Sequence, residues 1–226
     1  MTHSRRRLNS LAEINQASRY LEIGVHKGQT FFDVAVTNKV AVDPQFRFSY
    51  ADMNSDSLSF YETSSDLFFS HACGRENFDL IFFDGLHVFE QTTKDVLNAI
   101  WVSHARTIWL IDDVLPNDPY SACRNQSQAY ALRKQAGLIS KAWHGDVYKV
   151  VFFIHDFLPN LSYCTIRDGG NPQTVVWQHH RTATVPRFGS MELISRLSYF
   201  DLMDNLDILN LVEGSEALCR VHAAFA

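Results

Sequence analysis

Residues 78–91 read FDLIFFDGLHVFEQ, an apolar run that stops abruptly at an acid. The run Leu80-Ile81-Phe82-Phe83 has the length and composition of a strand that is buried on both faces. Asp84 follows it directly, and His87 comes three residues later. Residues 88–102 place apolar side chains at helical spacing among polar ones, which predicts an amphipathic helix. A buried strand that leads through a polar turn into a helix is the repeating unit of a parallel α/β sheet.

The same alternation of strands and helices extends along the chain in both directions. We predict that the run belongs to a fourth strand at 79–84, with further strands at 20–24, 39–43, 57–61, 107–112 and 147–155, and one more at 174–178. Apolar positions between 191 and 211 predict one or two additional helices. We therefore expect an α/β core over residues 1–159, followed by a C-terminal strand and helical extension over 160–226 that completes or covers the core.

The composition of the chain limits its partners. It has 226 residues, 46% of them hydrophobic and 20% charged, with a net charge of −5. This balance is typical of a globular domain and supplies no large basic field, so we expect no nucleic acid partner. The only basic run, Ser4–Arg7, is interpreted as a frayed, solvated terminus rather than a binding patch.

Sequence signals for secretion, membrane insertion and disulfides are absent. No apolar stretch has the length of a membrane span, and the Arg-rich start lacks the apolar segment of a signal peptide. Four cysteines show no CxxC spacing, so neither a zinc site nor a disulfide framework is predicted: Cys73, Cys123, Cys164 and Cys219. We expect a cytoplasmic protein with reduced thiols and no membrane partner.

Polar residues at the ends of the first two predicted strands are candidates for ligand binding, because ligands of open parallel sheets bind at the carboxyl ends of strands. The first strand ends in an E-x-G-x-x-x-G turn made by Glu22, Gly24 and Gly28. This is not G-x-G-x-x-G, so a dinucleotide site is weakly supported. Asp43 closes the second strand, where an acid can bind ribose hydroxyls. The alternatives are an ordinary strand-to-helix connection and a turn or capping Asp.

Three carboxylates are predicted to converge at two neighbouring strand ends. Asp84 ends the fourth strand, and Asp112 and Asp113 end the fifth. Such acids repel one another, and a divalent cation such as Mg²⁺ removes the conflict. His87 is then placed to take a proton from a hydroxyl near the cation. Alternatively, Asp84 makes only cofactor or helix-start hydrogen bonds, His87 caps or packs, and the two later acids form a solvated turn.

Five segments together resemble the class I S-adenosylmethionine (SAM)-dependent methyltransferases: YLEIGVHKGQTF, VAVDP, TSSDLFF, FDLIFFDGLHVFEQ and TIWLIDD. The resemblance spans residues 20–156 and implies a Rossmann-like, mostly parallel sheet of seven strands with helices on both faces. It also implies SAM as the cofactor. The positions that it assigns to the cofactor are Glu22, Gly24 and Gly28 at the amino-acid part, Asp43 at the ribose, Ser65 and Asp66 near the adenine, and Asp84 beside them.

Within this class, the sequence is similar to the metal-dependent sugar O-methyltransferases of macrolide biosynthesis. Those enzymes carry an Asp and a His three residues apart and then two consecutive acids, which Asp84, His87, Asp112 and Asp113 match. The first consecutive acid is typically Glu, and this chain is shorter, so the sugar substrate does not follow. The resemblance implies O-methylation of a small-molecule hydroxyl, of sugar or natural-product type, with a divalent metal on the three acids and His87 as base.

Other functions stay open at this point. They are a metal-independent methyltransferase for another small molecule, a protein or a nucleic acid, and a non-catalytic module that binds an S-adenosyl ligand. We also expect the C-terminal extension to allow a homo-oligomer. The segment Trp143-His144-Gly145-Asp146 is interpreted as a turn with a packed indole rather than a pocket edge. His179-His180-Arg181 is given no role.

Overall fold

A computed structural model describes residues 3–74, 77–182 and 184–226 of the chain. Its strands are β1 (Arg19–Ile23), β2 (Asn38–Asp43), β3 (Leu58–Glu62), β4 (Phe78–Phe83), β5 (Ser103–Ile111), β6 (Leu161–Ile166), β7 (Gln173–Gln178) and β8 (Leu211–Val212). They form one sheet in the order β3-β2-β1-β4-β5-β7-β6-β8. β7 runs antiparallel to β5 and β6, and the other neighbouring pairs are parallel. The predicted mostly parallel α/β sheet is confirmed, with eight strands in these ranges rather than seven.

Helices cover both faces of this sheet. They are α1 (His3–Asn15), α2 (Gln29–Asp33), α3 (Ser65–Leu67), α4 (Phe89–Ile100), α5 (Gln126–Gln135), α6 (Tyr148–Phe157), α7 (Met191–Arg196), α8 (Tyr199–Asp204) and α9 (Gly214–Phe225). A π-helical turn, Phe68–Ala72, follows α3, and a 3₁₀ turn, Leu206–Leu209, follows α8. None of these helices combines the length and apolar character that crossing a membrane requires.

The core has two layers because alternate strand residues point to opposite faces of the sheet. In β4, Leu80 and Phe82 pack in the layer that contains side chains of α1, α2 and α9. Ile81 and Phe83 pack in the other layer, with side chains of α4, α6 and α7. All four are at most 2% exposed. The run Leu80–Phe83 within the predicted strand 79–84 is therefore apolar at every position, because both faces of the sheet are covered there.

The register of the central strands aligns their carboxyl ends at one edge of the sheet. Phe83 of β4 lies beside Ile23 of β1 and beside Ile111 of β5. The residues that follow these three positions, Gly24, Asp84 and Asp112, therefore meet at the same edge. The strand order reverses between β1 and β4, which is where ligands bind in sheets of this topology.

The prediction of a strand at 147–155 is wrong, because this stretch forms α6. Its residues from Tyr148 to Ile154 are all buried, packed against the sheet and against α4 and α7. A helix that is buried all round shows no amphipathic period, and its β-branched and aromatic residues are those typical of strands. Tertiary burial, and not local propensity, decides this element.

The interpretation of Ser4–Arg7 as a frayed terminus is also wrong, because these residues belong to α1. Leu8, Leu11 and Asn15 are buried at helical spacing, and so is Arg7. Arg7 donates hydrogen bonds to the carbonyl of Asn171 at 2.6 Å and to Oε1 of Gln173 at 2.7 Å. Arg7, the last residue of the basic run, thus anchors α1 on the C-terminal half of the sheet.

Residues 160–226 contribute β6, β7 and β8 to the sheet, so they complete it. The predicted strand at 174–178 is confirmed within β7, whereas β6 was not predicted. The predicted helices between 191 and 211 appear as α7, α8 and the 3₁₀ turn. Arg181 caps the end of α6, since its Nη2 donates to the carbonyls of Ile154, His155 and Leu158.

Candidate functional site

A cavity of about 660 Å³ opens at the carboxyl ends of β1, β2 and β4. Small-molecule sites commonly have volumes of about 300–1,000 Å³. The predicted cofactor residues that line it are Glu22, Gly24, Asp43, Ser65 and Asp84. His87 lines it as well, whereas Gly28 and Asp66 do not. The edge of the sheet thus gathers most of the residues that the sequence singled out.

Gly24 and Gly28 both have a positive φ, 90° and 74° respectively, which other residues rarely adopt. A methyl group on Gly24 would overlap the backbone carbonyl of Asp84, so glycine permits the close approach of the β1 and β4 ends. A methyl group on Gly28 would meet the ring of Phe32. Gly24 therefore shapes the cavity wall, and Gly28 allows the packing of α2 behind it.

Glu22 lies on the cavity floor and is 1% exposed. Burial raises the pKa of its carboxyl well above the ordinary value; the hydrogen bond from Tyr20 opposes this, and the charge of Asp84 adds to it. The Tyr20 hydroxyl donates to Oε2 of Glu22 at 2.5 Å. This acid therefore stays neutral to a higher pH than an ordinary glutamate.

Asp43 braces the glycine turn from the end of β2. Its Oδ2 accepts hydrogen bonds from the backbone N–H groups of Val25 at 2.9 Å and His26 at 2.8 Å. Its Oδ1 accepts one from Gln45 at 2.7 Å. A carboxylate has about four acceptor sites, so Asp43 retains capacity for a hydroxyl in the cavity. Its binding to a ribose stays a prediction.

Ser65, at the start of α3, joins a buried polar network on the same wall. Its hydroxyl accepts from Nε2 of Gln91 at 3.1 Å, and Nε2 also lies 3.2 Å from Oδ1 of Asp95. Gln91 and Asp95 line the cavity, and burial raises the pKa of Asp95 to about 6. Asp66 joins this network through Oδ1, which accepts from Nε2 of Gln91 at 3.0 Å, and its Oδ2 pairs with Lys94 at 3.1 Å. Asp66 itself does not line the cavity, and its predicted role near the adenine stays a prediction.

Asp84, His87 and Asp113 form the tightest group of acids and imidazole at the cavity. Nδ1 of His87 lies 2.8 Å from Oδ2 of Asp113, and Nε2 lies 3.7 Å from Oδ1 of Asp84. One ligand atom from each residue lies within 4.8 Å of the other two. A small void of about 10 Å³, bordered by these three residues and Asp112, adjoins the main cavity. A void of this size holds about one water molecule or ion.

The neighbours of His87 define the tautomer of its neutral form. Its Nδ1 faces Oδ2 of Asp113 and, at 3.2 Å, the carbonyl of Trp143, both of which are acceptors. Nδ1 therefore carries a proton, and Nε2 points to the side of Asp84. Burial alone would lower the pKa of His87, but hydrogen bonds and charges of Asp113 and Asp84 outweigh it and raise it to about 11. With no cation nearby, this imidazole is positively charged at neutral pH.

Asp112 turns one oxygen away from this group. Its Oδ1 accepts hydrogen bonds from the backbone N–H of Asp113 at 2.8 Å and from Nδ2 of Asn171 at 2.7 Å. Burial and repulsion by Asp84 and Asp113 raise its pKa well above the ordinary value. The three predicted metal ligands, Asp84, Asp112 and Asp113, thus border one void. The compact group found among the described residues combines Asp84 and Asp113 with His87 instead of Asp112.

The loop before α6 contributes to the cavity wall. Trp143 lines the cavity and stacks on His87, with ring centroids 4.9 Å apart and planes at 16°. Gly145 has φ 61°, and a methyl group there would overlap the carbonyl of His87. Asp146 has a structural role, since its Oδ1 accepts a hydrogen bond from the N–H of Phe89 at the start of α4 at 2.7 Å. The interpretation of this segment as a turn rather than a pocket edge holds for Asp146, whereas Trp143 lies at the edge of the cavity.

The acids could hold a hard divalent cation. Asp84, Asp112 and Asp113 offer carboxylate oxygens, the ligands that Mg²⁺ prefers. One ligand atom each of Asp84, His87 and Asp113 lies within 4.8 Å of the others, and Asp112 borders the same small void. Burial raises the pKa values of Asp84 and Asp112, and repulsion between the acids adds to this rise; a cation would relieve the repulsion.

Comparisons place this fold among known structures. No protein-family model matches the sequence, and no curated protein matches it significantly. The O-methyltransferase of Bacillus cereus in complex with SAH aligns with a TM-score of 0.53 and 15% identity, over 79% of this chain and 82% of that chain. TomG of Streptomyces achromogenes, an O-methyltransferase of tomaymycin synthesis solved with SAM, aligns with a TM-score of 0.53 and 15% identity, over 78% and 79%. Cofactor-bound Rv0187 from MTB aligns with a TM-score of 0.54 and 16% identity, over 79% and 80%.

The chain shares the fold of these three proteins, two of which are O-methyltransferases. Several residues at the candidate site were not predicted from the sequence. Gln91 and Asp95 had a readable signal, because they are four residues apart on a predicted helix and so share one face. Asn171 had none, because it lies in a Gly-rich turn far along the chain from Asp112.

Proposed function

We propose that this protein is a SAM-dependent methyltransferase that methylates a hydroxyl of a small molecule, of sugar or natural-product type, assisted by a divalent cation. In this proposal SAM lies along the glycine turn and Asp43. Asp84, Asp112 and Asp113 hold the cation, and His87 is the general base.

The proposal rests on the fact that the main cavity and the small void adjoin each other. Asp84 and His87 line both the main cavity and the small void beside Asp112 and Asp113. A methyl donor at the glycine turn would therefore meet an acceptor hydroxyl next to acids and an imidazole. Methyl transfer to oxygen needs these two parts together, since the oxygen must lose its proton as it bonds to the methyl carbon and the carbon–sulfur bond breaks.

The chain's own part in this reaction is to hold the hydroxyl and remove its proton. The proton would pass to Nε2 of His87, while Asp113 keeps the Nδ1 proton in place at 2.8 Å. Trp143 covers one face of the imidazole and so limits its access to water. A divalent cation bound by these acids would lower the pKa of the acceptor hydroxyl and offset the charges that keep His87 protonated.

The test of the methyltransferase proposal combines binding and transfer. SAH should bind the purified protein in calorimetry, and label from methyl-labelled SAM should appear on the hydroxyl of at least one acceptor from a panel of deoxysugars and phenols. Binding of NAD with no binding of SAH would contradict the proposal. Binding of SAH with no transfer to any hydroxyl compound would contradict O-methylation of a small molecule and favour a methyltransferase for another acceptor or a non-catalytic module.

Chelation tests the cation separately. Exhaustive treatment with EDTA should abolish transfer and leave SAH affinity unchanged, because the acids lie on the acceptor side of the cavity. Addition of Mg²⁺ should restore transfer. Activity that survives chelation would favour a metal-independent enzyme, in which the imidazolium of His87 alone balances Asp84 and Asp113.

A further inference from the structure

The turn between β6 and β7 reaches the acids through Asn171. Its Nδ2 donates to Oδ1 of Asp112 at 2.7 Å and to Oδ1 of Asp113 at 2.6 Å. Asn171 lines neither the main cavity nor the small void. It therefore contacts the acids from behind, where it touches neither the space for SAM nor that for the acceptor.

The orientation of this amide follows from its neighbours. Oδ1 of Asn171 lies 3.0 Å from Nε2 of His144, a ring that is 5% exposed. With the amide flipped, Oδ1 would face two carboxylate oxygens at hydrogen-bond distance, with no proton between them. His144 therefore donates to Asn171, and the amide protons point to the acids.

The backbone of Asn171 is held as firmly as its side chain. Nη1 of Arg7 donates to the carbonyl of Asn171 at 2.6 Å, and Nη2 donates to the carbonyl of Asp168 at 2.5 Å. Arg7 is 8% exposed and also binds Gln173 in β7. Helix α1 thus fixes the turn that presents the amide.

We propose that Asn171 is a positioning residue for the reaction at His87. By holding Oδ1 of Asp113, it turns Oδ2 of the same carboxylate to Nδ1 of His87 and so aims Nε2 at the acceptor. The catalytic meaning of this arrangement rests on the proposed function. The chain of hydrogen bonds from Asn171 through Asp113 to His87 does not.

Loss of the amide should affect turnover and spare binding. Asn171→Ala frees the carboxylate of Asp113 to rotate, and removal of such an outer partner commonly costs 10–100-fold. We expect kcat to fall by roughly this factor, with the KM for SAM and the affinity for SAH unchanged. Asn171→Asp keeps the shape but replaces both donors with a third carboxylate, so kcat should fall at least as far.

A spectroscopic measurement reads the hydrogen-bond chain without turnover. In ¹H–¹⁵N spectra of labelled protein, the Nδ1–H of His87 should give a protected resonance that weakens or disappears in both Asn171 variants. Arg167→Ala is the matched control, because it removes a polar side chain of the same hairpin, paired with Glu213 at 2.7 Å, and leaves Arg7 and the amide of Asn171 in place. It should keep both the resonance and kcat, and thermal unfolding should show that all variants are folded.

The results separate this proposal from the proposed function. Wild-type kcat together with an unchanged His87 resonance in Asn171→Ala, or in Asn171→Asp if the Ala variant does not fold, would overturn the positioning role. So would a loss of SAH affinity as large as the loss of kcat, since that indicates a general structural defect. Failure of the wild type to bind SAH would refute the methyltransferase, and the resonance would still decide the hydrogen-bond chain.

Discussion

The cavity and its adjoining void have two halves that are built in different ways. The cofactor half contains the glycine turn and Asp43, and the acid half contains Asp84, His87, Asp112 and Asp113. In the cofactor half, Asp43 binds N–H groups that are 18 and 17 residues away in sequence. In the acid half, Asn171 binds acids 59 and 58 residues away, and His87 meets a carbonyl 56 residues away. The first half depends on one β-α-β segment, and the second depends on the packing of the whole sheet.

The halves also differ in the groups that they present. The glycine turn offers backbone amides and close approach, which depend on conformation. The acid half offers ionisable side chains whose pKa values are shifted by burial and by one another. We therefore expect substitutions in the first half to change cofactor binding and substitutions in the second to change turnover and its pH dependence.

The largest effect should come from His87. His87→Gln retains a hydrogen-bonding side chain but removes the base, and a positioned base commonly contributes 10²–10⁴-fold, so kcat should fall by about that factor. SAH affinity, measured by calorimetry, should be nearly unchanged. An equal loss of SAH binding would show that the two halves are not separable, and near-wild-type kcat would remove His87 from catalysis.

Gly24→Ala should damage the cofactor half. The positive φ costs roughly 1–2 kcal/mol, and the overlap with the carbonyl of Asp84 adds about 1–3 kcal/mol. We expect a loss of unfolding free energy of that total size in urea denaturation, and weaker SAH binding. Gly189→Ala is the control, since Gly189 has φ 63° but no atom within 4 Å of the added methyl. Equal effects of the two substitutions would contradict the close-approach argument.

Asp43→Ala should weaken SAH binding by about 1–3 kcal/mol, the scale of an abandoned polar partner. The matched control is Glu62→Ala, because Glu62 also ends a strand and braces backbone, at the N–H of Phe46, but does not line the cavity. Unchanged affinity in Asp43→Ala, or equal losses in both variants, would remove Asp43 from direct cofactor contact.

The acid half should also show a pH dependence of stability. Because the folded-state pKa of His87 is about 11, above the ordinary 6.5, the native state holds this proton more tightly than the unfolded state. The resulting stabilisation is complete below about pH 6.5 and disappears as the pH rises towards 11. The unfolding free energies of wild type and His87→Gln in EDTA should therefore converge between pH 6 and pH 10. A constant difference would show that the imidazole carries no extra proton.

Some features followed directly from local pattern. The apolar run of β4, the alternation of strands with helices and the polar residues at strand ends predicted the sheet and its ligand-binding edge. These are determined by short-range chemistry, since burial on two faces requires continuous apolar residues and a close turn requires glycine. The edge itself brings Gly24, Asp84 and Asp112 together once the parallel register is formed.

Other features needed the folded chain. The sequence by itself determined the parallel α/β sheet and the acids and glycines at its carboxyl edge. Only the tertiary structure decided that 147–155 is a helix, that Arg7 is buried, and that Asn171 and Trp143 meet Asp113 and His87. The reason is physical: a run that is apolar on every side fits a strand or a helix until its neighbours bury it. Likewise, an amide or indole in a loop acquires a partner only when distant segments pack against each other.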